Sequence, residues 1–133
     1  MLILLAAGWS RPIAAATIKQ GDSVEELFRA PLPDTPGTDV AVVRVDYGPG
    51  ATTPPHEHPG FVYAYVLKGA VVSQVGDVRP QTYRQGQMWS ELPWQHHIVS
   101  RNASATEPAS LLVFLIISHR APLTVAIPSP ANG

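Results

Sequence analysis

Residues 50–69 read GATTPPHEHPGFVYAYVLKG, a segment that joins two histidines between prolines to a long apolar run. His56 and His58 stand two residues apart, so in an extended chain both imidazoles project to the same side. Such a pair forms part of a facial metal site when another strand supplies a third ligand. Most isolated His-x-His pairs are surface histidines. Whether His56 and His58 bind a metal must therefore be judged from the surrounding residues.

A third histidine, His97, follows beyond several expected hairpins, at a separation that suits a neighbouring strand in a closed sheet. His97 is therefore the candidate for the third ligand of one divalent metal ion, beside His56 and His58. The adjacent His96 faces the opposite way in a strand, and it becomes the ligand only if the register slips by one residue. His119 follows an apolar run and is expected to cap the exposed end of that strand.

Apolar, β-branched runs recur between turn residues along the rest of the chain, at a spacing typical of a β-sandwich or small barrel. The clearest runs are Val40–Tyr47, Phe61–Leu67, Val71–Val75 and Leu111–Ser118. Fourteen prolines and ten glycines argue against a helical bundle, because proline ends or kinks a helix. Asp22–Phe28 alone has the N-cap and acidic residues of a short helix. We expect an all-β fold with at most one short N-terminal helix.

Composition narrows the function further. A chain of 133 residues is long enough for one domain with its own core. The absence of cysteine excludes disulfide scaffolds, thiolate zinc sites and cysteine nucleophiles. A net charge of −1 gives no electrostatic footprint for nucleic acid. The N-terminal apolar run is far shorter than the ~20 residues that a bilayer requires, so no integral membrane span is expected.

The two ends of the chain differ from its middle. Residues 1–16 combine the apolar run Leu2–Gly8 with Ala14–Ala16, as a signal peptide does, although no Lys or Arg precedes the run. We interpret them as a signal peptide or an N-terminal strand. The protein is periplasmic or secreted in the first case and cytoplasmic in the second. Residues 17–125 are expected to form the domain, and residues 126–133, with two prolines, a flexible tail.

The spacing of glycines and histidines resembles that of the cupin superfamily, in particular its small single-domain, quercetin-dioxygenase-like bacterial members. The first cupin motif, Gly-x5-His-x-His-x3,4-Glu-x6-Gly, aligns with residues 50–69, and the second, Gly-x5-Pro-x-Gly-x2-His-x3-Asn, with residues 86–102. In the second motif Gly86 and His97 match, Leu92 and Trp94 replace the proline and glycine, and Asn102 lies one place late. The resemblance covers about residues 38–118 and implies an antiparallel β-barrel, the double-stranded β-helix or jelly roll.

Val62 occupies the position of the glutamate in the first motif, so the resemblance implies a three-histidine centre. Cupins with three-histidine centres include Fe(II)-dependent cysteine, β-diketone and gentisate dioxygenases. The resemblance thus implies a small-molecule oxidoreductase of the Fe(II) dioxygenase type, with Fe²⁺ favoured and Mn²⁺, Ni²⁺ or Zn²⁺ as alternatives. The second interpretation is a non-catalytic, metal-dependent module that binds a small ligand. A metal-independent sugar epimerase has less support, because no basic cluster for a sugar phosphate is evident.

Two residues near His97 are candidates for a fourth ligand or a supporting contact. Glu91 lies six positions before His97, on the same face if the strand alternates strictly, and it ranks first among the acids. Its alternative role is that of a pocket-lining or structural carboxylate. Gln95 has the same parity as His97 but falls in an expected turn. Glu57 stands between the paired histidines and should point out of the barrel.

Aromatic residues near both motifs suggest an apolar cavity for a small-molecule substrate or ligand. Tyr63 and Trp89 are the candidates for its lining, and Tyr63 would reach the metal if a bulge shifts its strand. Packing in the core or between subunits is the alternative for each aromatic. Cupins commonly pair through edge strands, so we also expect a homodimer.

Overall fold

The computed structural model describes residues 21–128, which form eleven β-strands and no helix. In chain order the strands are β1 (Asp22–Pro31), β2 (Thr38–Tyr47), β3 (Thr52–Thr53), β4 (His56–Glu57), β5 (Gly60–Lys68), β6 (Ala70–Val75), β7 (Gln81–Arg84), β8 (Met88–Glu91), β9 (His97–Asn102), β10 (Ala109–Ser118) and β11 (Val125–Ala126). The signal-peptide prediction for residues 1–16 and the last five residues of the predicted tail lie outside the described residues.

The strands form two antiparallel sheets. The first has the order β1-β2-β10-β5-β8, and the second has the order β11-β4-β9-β6-β7 with β3 also paired to β9. The chain passes from β5 in the first sheet to β6 in the second at Gly69. This glycine has a φ of +72°, and a Cβ there would lie 2.7 Å from the Pro108 carbonyl oxygen, so only glycine fits. The predicted all-β antiparallel fold is confirmed.

A single core lies between the sheets. Alternate residues of β5 and β10 point inward, and Val62, Val66, Leu115 and Ile117 are at most 2% exposed. Val71 of β6 joins the same core from the second sheet. Each fully buried aliphatic side chain stabilises the fold by about 1.5–3 kcal/mol relative to an exposed one.

The prediction of a short helix over Asp22–Phe28 is wrong. These residues belong to β1, which pairs with β2 from Asp22↔Tyr47 to Pro31↔Asp39. The ladder of backbone hydrogen bonds to β2 outweighs a weak local helix preference. A shift in register between Glu26 and Phe28 interrupts the alternation of β1, which is why no clean strand pattern is visible there.

The C-terminal segment is also ordered further than predicted. Ala126, the first residue of the predicted tail, pairs with His56 in β4 as part of β11, and Val125 pairs with Glu57. The chain therefore returns to the histidine strand after β10.

Between residues 21 and 128 no helix is long and apolar enough to cross a membrane.

The outward side of the first sheet, which we call the apolar outer face, is unusually hydrophobic. An antiparallel sheet with one solvated face normally alternates apolar and polar residues. Here Phe28, Val42, Phe114 and Tyr63 follow one another across four strands in direct register. Six large side chains on this face are between 39% and 54% exposed: Phe28, Phe61, Tyr63, Tyr65, Met88 and Phe114.

Candidate metal centre

The register of β4 against β9 brings the three histidines together. His56 pairs directly with His97, and directly paired residues of an antiparallel ladder lie on the same face. The ring centroid of His56 lies 4.9 Å from the ring centroid of His58 and 4.9 Å from that of His97. One ring nitrogen from each histidine lies within 4.8 Å of the others, and the group could hold a metal ion.

Hydrogen bonds fix which nitrogen of each ring faces the centre. His56 Nδ1 lies 2.8 Å from the Pro54 carbonyl oxygen, and His58 Nδ1 lies 2.6 Å from that of Leu123. A carbonyl oxygen only accepts, so both Nδ1 atoms carry the proton and both Nε2 atoms keep a free lone pair.

His97 has the opposite arrangement. Its Nε2 lies 2.8 Å from Ser73 Oγ, whereas its buried Nδ1 has no hydrogen-bond partner. When Nε2–H donates to the serine oxygen, the lone pair of Nδ1 is the one available to a metal. Ser73 thus occupies Nε2 of His97, and Nδ1 is the nitrogen that lies toward the cluster, as Nε2 is in His56 and His58.

Glu91 of β8 joins this cluster from the first sheet. Its Oε1 accepts a hydrogen bond of 3.0 Å from Trp89 Nε1 and lies 3.2 Å from His97 Nδ1. Its Oε2 lies 3.7 Å from His58 Nε2 and has no hydrogen-bond partner. Glu91 is 3% exposed, and its carboxyl group lies between the imidazoles of His58 and His97.

Burial sets the protonation of the cluster. It lowers the pKa of His58 to about 4 and that of His97 to about 3, and the neighbouring histidines lower the pKa of His97 further. Burial also raises the pKa of Glu91 to about 7, although the Trp89 hydrogen bond opposes this. His58 and His97 are therefore neutral at pH 7, the form in which imidazole binds a metal.

The donor set fits a divalent transition metal. Among residues 21–128, His97 Nδ1 and Glu91 Oε2 are the buried side-chain nitrogen and oxygen atoms that lack a hydrogen-bond partner. An unsatisfied buried polar atom costs about 1–3 kcal/mol, and both of these atoms lie in the same cluster. One cation would satisfy both. Imidazole nitrogens with a carboxylate suit ions such as Fe²⁺, Ni²⁺ or Zn²⁺.

A small, mostly apolar cavity of about 80 Å³ adjoins the cluster. Since one water requires about 10–15 Å³ by this measure, the cavity has room for a ligand of only a few heavy atoms. Its apolar walls come from both sheets and from the segment before β11: Val24, Val43, Val45, Val62, Ala64, Leu111, Val113, Leu115 and Leu123.

Three hydroxyl groups supply the cavity with polarity, and the sequence alone did not identify them. Thr53 donates to Asp22 Oδ2 at 2.7 Å, so its oxygen accepts from Tyr47 Oη, 2.8 Å away. Tyr47 Oη in turn accepts from Ser100 Oγ at 2.8 Å. Burial raises the pKa of Tyr47, which keeps the phenol neutral. No spacing pattern marks such hydroxyls, because β2, β3 and β9 bring them together from distant parts of the chain.

Tyr63 and Trp89 do not line this cavity. Tyr63 lies on the apolar outer face, because β5 alternates and places Val62 and Ala64 inward instead. A bulge that would have turned Tyr63 inward is absent, since β5 pairs with β8 in regular register from Val62 to Tyr65. Trp89 is buried behind the cluster, where it holds Glu91 and lies with its ring centroid 6.0 Å from that of His97.

Gln95 also lies away from the centre. Its side-chain oxygen accepts a hydrogen bond from the Leu92 backbone nitrogen and closes the turn before β9. His96 points outward, as expected from strand alternation, and approaches Glu57 to 3.5 Å. His119 binds Asp39 at the end of β10, with 2.9 Å between Nδ1 and Oδ1.

Known proteins share this architecture. Among solved structures, an oxalate oxidase in complex with the substrate analogue glycolate is 24% identical, with a TM-score of 0.63 over 90% of this chain and 63% of its own. The DMSP lyase DddQ from Ruegeria pomeroyi is 20% identical, with a TM-score of 0.57 over 65% of this chain and 42% of its own. The protein TT1209 from Thermus thermophilus is 25% identical, with a TM-score of 0.56 over 71% of this chain and 82% of its own.

These structural likenesses establish the fold. The chain spans less than two thirds of the length of the oxalate oxidase and of the DMSP lyase. A search of curated protein sequences found no match. A family model described as the cupin domain matches residues 43–115, which is more than half of the sequence. The chain therefore belongs to the cupin family.

Proposed function

We propose that His56, His58 and His97 hold one divalent metal ion, and that the protein is a small-molecule oxidoreductase of the Fe(II) dioxygenase type. The observation that carries the proposal is the buried, unpartnered Nδ1 of His97, which faces the free Nε2 atoms of His56 and His58 across a small apolar cavity. A bound iron ion would polarise a coordinated substrate and supply the redox chemistry for dioxygen.

The residues around the cluster favour a small anionic or enolic substrate. Three neutral imidazoles leave a divalent ion with a net positive charge even when one carboxylate also binds it, and that charge attracts an anion. The aliphatic walls exclude water, and this strengthens every electrostatic contact made inside. The hydroxyl oxygens of Tyr47, Thr53 and Ser100 line the same cavity, and because their protons are used within the chain, they can orient a substrate hydroxyl only by accepting its hydrogen bond. Glycolate, which the oxalate oxidase structure contains, is an anion of the size that this cavity admits.

A second candidate function is a non-catalytic module that holds a metal and a small ligand. Val62 favours it, because the carboxylate of the first cupin motif is missing at that position. The two candidates share the metal and the cavity, and they differ in whether the bound ligand turns over.

Metal analysis combined with oxygen consumption distinguishes the candidates. We expect the purified protein to contain about one iron per chain and to consume dioxygen with a substrate of a few heavy atoms, taken from the smallest β-dicarbonyls, thiols and hydroxy acids. Stoichiometric metal with no turnover on any of these would support the binding module instead. Protein that retains no metal after reconstitution with Fe²⁺, Mn²⁺, Ni²⁺ and Zn²⁺ would contradict both candidates.

We also propose that two copies of the chain pair through the apolar outer face. Its register row of Phe28, Val42, Phe114 and Tyr63 offers a flat apolar surface, and face-to-face packing of two sheets buries such rows at a spacing of about 10 Å. Light scattering should give twice the 14.3 kDa mass of one chain. Phe114→Glu should give the mass of one chain. A wild-type mass of 14.3 kDa would exclude the dimer.

A further inference from the structure

We propose that Glu91, on β8, supplies to the metal the carboxylate that the first cupin motif places on β5. This inference rests on the metal site proposed above and adds a fourth ligand to it. Val62, which stands at the motif position, is 1% exposed and cannot bind a metal. In the sheet, however, Val62 pairs directly with Glu91.

The pairing explains how a carboxylate on another strand reaches the same place. Directly opposed residues of an antiparallel ladder share a face, with Cβ atoms about 4.5–5.5 Å apart. Moving the carboxylate from Val62 to Glu91 therefore keeps it on the inner face and displaces its attachment point by one strand. The Glu91 side chain spans this distance, because its Oε1 reaches to 3.2 Å from His97 Nδ1 and its Oε2 to 3.7 Å from His58 Nε2.

Trp89 distinguishes a ligand from a merely structural carboxylate. Its indole Nε1–H donates to Oε1 of Glu91 at 3.0 Å and so fixes the side chain. Oε2, in contrast, is buried and makes no hydrogen bond. A buried structural carboxylate has its oxygens hydrogen-bonded, because an unsatisfied one is costly. Here Trp89 anchors one oxygen, the other has no hydrogen bond, and both oxygens lie 3.2–3.7 Å from a histidine ring nitrogen, which is the arrangement of a ligand held by an outer partner.

With Glu91 as a ligand, the valine at the motif position no longer leaves the metal site without a carboxylate. With Glu91 the centre offers three neutral nitrogens and one carboxylate, and the ion's charge is partly neutralised inside the low-dielectric barrel. The ligand set is then completed from both sheets, with the histidines on one side and the carboxylate on the other.

A titration of chelator-treated protein with Co²⁺ tests this assignment, because the visible spectrum of bound cobalt reports its ligands independently of activity. Glu91→Gln keeps the size of the side chain and an oxygen that accepts from Trp89, but it loses the charge. We expect it to bind Co²⁺ at least tenfold more weakly, with a changed spectrum. The control is Glu57→Gln, an acid between His56 and His58 whose carboxylate lies beside the exposed His96. It should behave as the wild type.

The exchange variant Val62→Glu/Glu91→Val gives the second measurement. It returns the carboxylate to the motif position without changing composition, and we expect it to recover most of the affinity that Glu91→Gln loses. Circular dichroism checks that each variant folds. Wild-type affinity and spectrum in folded Glu91→Gln would overturn the relocation while leaving the histidine site intact. Wild-type protein that binds no Co²⁺ would instead contradict the proposed function itself.

Discussion

The two sheets of the barrel differ in what their inward faces contain. In the first sheet the long strands β2, β5 and β10 bury mainly aliphatic side chains, such as Val43, Val62 and Leu115. In the second sheet the short strands β4, β6 and β9 bury His56, Ser73 and His97. The long, regularly paired strands thus supply most of the hydrophobic core, and the short strands between turns position the polar groups. Mutations in the aliphatic cores of β2, β5 and β10 and mutations at the histidines should therefore have separable effects.

The largest expected effect is on stability, from a substitution in the first sheet. Leu115 is 1% exposed, and Leu115→Ala should lower the free energy of unfolding by about 2–5 kcal/mol through lost burial and the cavity left behind. Urea denaturation measures the change. The folded variant should retain the metal content of the wild type. A loss of metal without a loss of stability would show that the two sheets are not separable in this way.

The corresponding change in the histidine cluster, at His58 directly after β4, should act on metal and spare the fold. His58→Ala removes a proposed ligand, and its effect should exceed the 10–100-fold loss of affinity typical for an outer partner of a ligand. Elemental analysis of the purified variant should find almost no metal, with an unchanged circular dichroism spectrum. Wild-type metal content in His58→Ala would remove this histidine from the site.

Acid should destabilise the metal-free protein through two buried histidines of the cluster. Between pH 5 and 6 the unfolded chain protonates His58 and His97, with pKa values near 6.5, whereas burial keeps both neutral in the folded state. Stability therefore falls as the pH falls. Glu91 acts in the opposite direction, since the folded state keeps its proton up to about pH 7 and the unfolded state loses it above about 4.5.

The two histidines together outweigh Glu91. The free energy of unfolding should therefore fall by about 1 kcal/mol for each pH unit of acidification between pH 6 and pH 5. Urea melts of chelator-treated protein at pH 6 and pH 5 measure it. His58→Ala should remove most of the slope, because His97 and Glu91 then nearly cancel. A slope that is the same in this variant would contradict the assigned burial effect.

The smallest expected effect comes from Ser73, which contacts no metal but holds Nε2 of His97. Because this hydrogen bond is already present in the metal-free protein, Ser73→Ala should weaken metal affinity by less than the 10–100-fold typical for an outer partner of a ligand, by about fivefold. Calorimetric titration with Zn²⁺ can resolve this difference. Ser90→Ala, the same substitution on an exposed residue of β8, should leave the affinity unchanged.

Much of the fold was predictable because its signals are local. Alternating β-branched runs indicate strands, and the glycine–histidine spacing of residues 50–69 and 86–102 carries the cupin resemblance. The first strand escaped prediction because its pairing is irregular near Phe28 and its residues are acidic. Its conformation is imposed by β2, a partner that local preference does not reveal.

The candidate site was predictable only in part, for the same reason. The histidines share a local spacing and a motif, whereas the sequence did not fix the facing of Tyr63: β5 keeps the parity of His56 and His58 across Pro59 and Gly60, so Val62 points inward and Tyr63 outward. The supporting hydroxyl groups of Ser73, Tyr47 and Ser100 have no pattern in the sequence at all.

By itself, the sequence determined the β-strand character of the chain, the family and the three histidines, because each depends on residue type and short-range spacing. Tertiary structure alone decided which nitrogen of His97 is free, that Glu91 stands opposite Val62, and that the cavity is small and apolar. These features depend on strand register and on contacts between residues far apart in the chain, and such contacts exist only once the two sheets have packed together.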